Sequence, residues 1–109
     1  MEIKTPEEFF EEALPARFKG DKAEGVDVTV QVDIVGPNGG NWVVTIKDKK
    51  LKVDDGTHPA PTLTLKMAEK DFLELTNGKT SAEKAFFSGK IQFKGNISLA
   101  LKLREAGFL

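Results

Sequence analysis

His58 is the only histidine in the chain and lies beside Pro59 in a polar stretch. Imidazole is the side chain that titrates near neutrality and the commonest metal ligand. With no cysteine and no second histidine, however, the nitrogen and sulfur donors of a zinc site cannot be assembled. His58 reads as a solvated loop side chain, and neither a metal nor a cofactor is expected. Asp54-Asp55-Gly56 resembles a fragment of a calcium loop but lacks the regular oxygen spacing and the closing glutamate, so it reads as a turn. Gly36-Pro37-Asn38-Gly39-Gly40 is rich in glycine, yet it joins two strand-like segments and opens no helix whose N-terminus could cradle a phosphate. Ser81, Ser88 and Ser98 have only His58 as a possible base, and none sits in a nucleophile-elbow pattern. The 17 Asp and Glu residues lie in no apolar context that would raise a pKa for acid–base work. No catalytic residue is identified, and the chain is not expected to be an enzyme.

The elements that would position any site are legible from periodicity and punctuation. Thr5, Pro6 and Glu8 form an N-cap, a first-turn proline and a capping box that open a helix through Phe9, Phe10, Ala13 and Leu14, which Pro15 should kink or end. From Val26 to Val35 apolar residues alternate with polar ones, the mark of a strand with one wet face. The turn at residues 36–40 leads into Trp42-Val43-Val44-Thr45-Ile46, completing an antiparallel hairpin. Leu51 to Val53 and Thr62 to Lys66 follow as strands, separated by a polar crossover loop. Helical spacing returns at Asp71-Phe72-Leu73-Glu74-Leu75 and stops at Asn77-Gly78. Thr80 with Glu83 reads as a second capping box, starting a short helix through Ala85, Phe86 and Phe87 that Gly89 ends. Lys90 to Lys94 alternates as a fifth strand, and Asn96 caps a last amphipathic helix through Ile97, Ala100, Leu101 and Leu103. Strands with one dry face and helices that can cover it predict a two-layer α+β domain. Where a helix stands off that face, a cavity lined by Phe, Leu and Val results and would attract an apolar guest.

Composition narrows the function classes. At 109 residues the chain, residues 1–109, reads as a single domain. It has no apolar run long enough to span a bilayer and no hydrophobic stretch behind Met1, which predicts a soluble, cytoplasmic protein. Eight Phe, one Trp and no Tyr leave almost every ring without a polar handle, which suits a dry interior. Net charge is −1, distributed unevenly: residues 79–104 carry Lys79, Lys84, Lys90, Lys94, Lys102 and Arg104 against Glu83 alone. Without exposed Tyr or Trp as stacking partners this is a poor nucleic-acid surface. It suits an anionic head group or transient contact with a lipid surface, or else is a solvated face.

The ordered combination of Trp42-Val43-Val44, Asp71-Phe72 with Leu75 and Gly78-Lys79, Ala85-Phe86-Phe87-Ser88-Gly89-Lys90-Ile91, Gly95-Asn96 and Leu99-Ala100-Leu101-Lys102-Leu103 resembles the sterol carrier protein type 2 family. That resemblance implies a five-stranded, mainly antiparallel sheet with helices on one face, and an apolar tunnel between the layers. It implies binding of a fatty acid, acyl-CoA, sterol or similar lipid without covalent chemistry. The candidate tunnel residues are Phe9 and Phe10 in the first helix, and Trp42, Val44 and Ile46 in the second strand, provided these face the helices. They continue with Phe72 and Leu75 in the middle helix, Phe86 and Phe87 in the short helix, and Phe93 in the last strand. Leu99, Leu103 and Arg104 come from the last helix. Phe86 and Phe87 point about 100° apart, so one can anchor the core while the other lines the cavity. Animal members often carry Gln where this chain has Arg104, a side chain that either meets a ligand carboxylate or phosphate or stands solvated at the helix end. The chain ends Gly107-Phe108-Leu109, not in a peroxisomal Ser-Lys-Leu signal, and Phe108 is a candidate to gate the tunnel mouth. A monomer is the favoured state. The alternative is an interaction or scaffold module on the same fold.

Overall fold

A computed structural model describes residues 2–106. The first helix, α1, spans residues 6–17. Thr5 caps it, its hydroxyl accepting from the Glu8 N–H at 3.2 Å, while the Glu8 carboxylate accepts from the N–H of Lys4. Pro15 does not end it. Between Pro6–Glu8 and Leu14–Arg17 the segment Phe9–Ala13 is π-helical, with the Leu14 N–H donating to the Phe9 carbonyl. The wider turn absorbs the proline ring and its missing donor just before the last helical turn.

The strands β1 (Val28–Val35), β2 (Gly40–Lys47), β3 (Lys50–Asp55), β4 (Leu63–Ala68) and β5 (Ile91–Lys94) form one sheet of order β3-β2-β1-β4-β5. All pairs are antiparallel except β1 with β4, which the crossover loop makes parallel, so the sheet is mixed. The register aligns Val30 with Val44 on one side and Leu63 on the other, and Leu65 with Phe93. Every apolar alternation therefore falls on one face. That face packs against α1, α2 (Glu69–Thr76), α3 (Ala82–Phe87) and α4 (Ile97–Glu105), the predicted two-layer α+β arrangement.

The opposite face is drier than alternation alone implies. Gln31, 5 % exposed, donates to the Asp33 carboxylate and to the carbonyls of Trp42 and Gly56, and accepts from the His58 N–H. Fully satisfied, this amide staples the crossover loop over the sheet.

The short helix starts one residue later than the sequence suggests. Ser81, not Thr80, is its cap, with the Ser81 hydroxyl accepting from the Lys84 N–H at 3.1 Å. Glu83 consequently stands too early in the helix to fold back on the cap. The αL stops fall where predicted, at Gly78 (φ 77°) and Gly89 (φ 75°). Asn96 caps α4 through its Oδ1, which accepts from the Ser98 N–H at 2.8 Å.

Candidate lipid-binding site

The inner face of the sheet carries two apolar regions of different character. Over β1 and β2 lies a solid aromatic core. The Phe10 ring is stacked between Trp42 at 4.7 Å and Phe72 at 5.6 Å, with Phe9 edge-on to both Phe10 and Phe72. Arg17 lies over the Phe9 ring and donates to the Thr76 carbonyl, tying α1 to the C-terminal end of α2. Phe9, Phe10, Phe72, Val44 and Ile46 are all buried against protein atoms, so their side chains serve packing.

Over β4 and β5 lies a partly open apolar cleft of about 230 Å³. Its floor is Val30, Leu63, Leu65, Ile91 and Phe93 from the sheet. Its walls are Ala82, Phe86 and Phe87 from α3 and Ile97, Ala100, Leu101 and Leu103 from α4. Small side chains contribute to the space. Ala82 and Ala100 line the cleft, and Ala85 is the α3 residue buried against the core. Where α1 delivers two phenyl rings to the packed core, α3 buries only Ala85 in it and α4 contributes Leu103.

Gly95 sets the entry of α4. Its φ is 126°, and a Cβ there would meet the Thr62 carbonyl oxygen at 2.8 Å, so only glycine lets the chain pass this close to β4. At its far end α4 is anchored by the Lys19 N–H donating to the Ala106 carbonyl at 2.8 Å.

Two charged side chains line the cleft, and they pair with each other: the Arg104 guanidinium bridges to the Glu83 carboxylate across the mouth, from α4 to α3. The one-residue shift in the cap of α3 is what frees Glu83 for this bond. Arg104, for which the sequence left open a ligand head group or solvent, is thus paired with a carboxylate.

Of the sequence-derived candidates, the structure gathers Phe86, Phe87, Phe93, Leu103 and Arg104 around the cleft. Trp42, Val44 and Ile46 do face the helices, but with Phe9, Phe10, Phe72 and Leu75 they belong to the packed core. Leu99 packs against that core from its edge without lining the cleft, and Phe108 lies outside the described residues. Neither Phe86 nor Phe87 anchors the core; Ala85 does so, and both rings stand at the mouth. The lining residues missed from sequence had visible signals: the alternation of Leu63 and Leu65, and the i, i+4 pair Ile97 and Leu101. Among the described residues no cluster of three or more metal-ligating side chains occurs.

Comparison with known proteins agrees with this geometry. The profile of the SCP-2 sterol transfer family matches residues 10–106. The chain is 38 % identical over 76 residues to the rat (Rattus norvegicus) hydroxysteroid dehydrogenase-like protein 2, covering 69 % of this chain and 14 % of that protein. It is 41 % identical over 72 residues to human (Homo sapiens) sterol carrier protein 2, covering 64 % of this chain and 13 % of that protein. The chain therefore spans only about one-seventh of these curated relatives. Among solved structures, sterol carrier protein 2 like 2 from Aedes aegypti superposes with a TM-score of 0.74 at 27 % identity, covering 90 % of this chain and 93 % of that one. The same mosquito protein, solved in palmitated form, superposes with a TM-score of 0.67 at 28 % identity and 90 % coverage of each chain. With its sheet, its helices and its sequence all matching, this chain belongs to the SCP-2 sterol transfer family.

Proposed function

We propose that this chain binds one single-chain amphiphile, of the fatty-acyl class, in the cleft between β4, β5, α3 and α4, and transfers it without covalent chemistry. The observation that carries this reading is an apolar cleft whose charged lining residues, among those described, pair with each other at its mouth. Family membership points to lipid binding and transfer, and the palmitated state of the Aedes aegypti relative is an acyl ligand of the proposed class.

Size sets the terms. Apolar voids of about 150 Å³ already seat a benzene ring. At about 30 Å³ per methylene-sized group, the 230 Å³ cleft takes roughly eight such groups. Each buried methylene contributes about 0.8 kcal/mol, or roughly 6 kcal/mol in all before the cost of immobilising the ligand. A longer chain leaves its remainder against Phe86, Phe87, Ile97 and Leu101, and broad selectivity among apolar chains of similar girth follows.

The test is displacement of a fluorescent fatty acid from delipidated protein, with mass spectrometry of organic extracts of the purified chain. Saturable binding at a one-to-one ratio is expected. Absence of saturable binding, with no lipid in the extracts, overturns the carrier reading in favour of a scaffold module; turnover of any lipid by the isolated chain overturns the non-catalytic part.

A further inference from the structure

Large apolar side chains left substantially exposed are not scattered over this molecule. Among the described residues there are five, and Phe86, Phe87, Ile97 and Leu101 all stand on the cleft mouth; Val35 is the exception. Phe87 is 84 % exposed, and its ring meets Phe86 edge-on at 5.7 Å, so the two make one aromatic protrusion. Contiguous apolar surface of this kind, rimmed by polar residues, marks an interaction site.

Charge identifies the occupant. Lys84 lies one turn before Phe87 on α3, and Lys102 is next to Leu101 on α4; both are exposed. Residues 79–104 hold six basic side chains and one glutamate. That glutamate, Glu83, is already engaged by Arg104. Lys79 and Lys90 pair with Glu2 and Asp71 from outside this stretch, whereas Lys84 and Lys102 stand in no ion pair among the described residues. Phenylalanine and leucine beside long, flexible lysines is the composition that seats at the boundary between head groups and acyl chains of an anionic bilayer. A second copy of this chain fits poorly, because a two-fold contact through the patch brings the same lysines face to face.

We infer that the α3–α4 rim is a docking surface for an anionic phospholipid membrane, with Phe86, Phe87 and Leu101 entering the interface and Lys84 and Lys102 meeting the head groups. Docked this way, the open side of the cleft faces the bilayer. The inference goes beyond carriage of a ligand and does not require it, since it stands on exposure and charge at the rim.

The experiment is co-sedimentation of the full chain with vesicles of phosphatidylcholine alone, or with roughly one-third phosphatidylserine, at low and raised salt. Binding to the anionic vesicles, lost at raised salt, is expected. Partition should fall about fivefold for each of Lys84→Gln and Lys102→Gln, and more than tenfold for Phe87→Ser. Circular dichroism checks that Phe87→Ser keeps the fold, as its exposure predicts. The lysine variants should retain fluorescent fatty-acid binding, which separates failure of docking from failure of carriage. Equal binding to neutral and anionic vesicles overturns the inference, as does unchanged partition of the double lysine variant. So does a concentration-dependent dimer that Phe87→Ser abolishes while the parent protein ignores vesicles.

Discussion

Filling the cleft from its own wall is the most direct perturbation of the carrier reading. Ala100, half-buried on α4, lines the cleft, and Ala100→Phe places a ring where an acyl chain is proposed to lie. A phenyl ring needs about 150 Å³ of the 230 Å³ present, leaving room for two or three methylene-sized groups in place of roughly eight. Losing about five buried methylenes at 0.8 kcal/mol each weakens binding by about 4 kcal/mol, roughly a thousandfold. The ring itself gains apolar burial worth about 1.5–3 kcal/mol, set against a comparable packing penalty, so stability should change little. Phe10→Leu, in the aromatic core, should do the opposite: cost about 1–2 kcal/mol of stability and leave affinity alone. Fluorescent fatty-acid displacement paired with thermal melts reads both quantities. An Ala100→Phe protein that folds as stably as the parent and binds within threefold of it would refute the assignment of the ligand to this cleft.

Three further outcomes follow from the geometry. Glu83→Gln releases Arg104 at the mouth, so affinity for an amphiphile with an anionic head should rise severalfold over its neutral alcohol counterpart, while stability shifts by less than about 1 kcal/mol for so exposed a pair; displacement by an acid and its matching alcohol measures the ratio. Gly95→Ala forces a Cβ onto the Thr62 carbonyl at a φ of 126° and should cost about 1–3 kcal/mol in denaturant unfolding. Glu11 is held above the ordinary carboxylate value of 4.5, chiefly by the neighbouring negative charge of Glu7, then by desolvation, a hydrogen bond to Glu7 and the charges of Asp55 and Glu12. An acid whose folded pKa is raised destabilises the fold above that pKa, and the penalty is relieved as pH falls through it. Glu11→Gln should therefore raise the melting temperature at neutral pH, with the gain vanishing in acid below the ordinary carboxylate value.

The strands, their phase and most helix boundaries were written in local chemistry. Alternation at Val28 to Ile34 and Trp42 to Ile46 could put apolar side chains on one face only, and Thr5, Gly78, Gly89 and Asn96 punctuate the helices by capping or by positive φ, effects that act within a turn. Local rules misled where two nearby groups compete for one role: Thr80 and Ser81 both offer a hydroxyl for the same cap. At Pro15, where a kink or an end is expected, the helix takes a π-helical turn and continues.

What the tertiary structure alone decided is which apolar residues fill space and which surround it. Phe10 and Phe93 are equally hydrophobic, but Phe10 meets Trp42 and Phe72 across the layers, while Phe93 lines a cleft that it shares with Ala100 and Leu103 of α4. A void is a property of what faces what, not of any segment. The pairing of Arg104 with Glu83, 21 positions apart, has the same origin. It needs α3 and α4 to meet across a cleft, and periodicity within either helix carries no information about the distance between them.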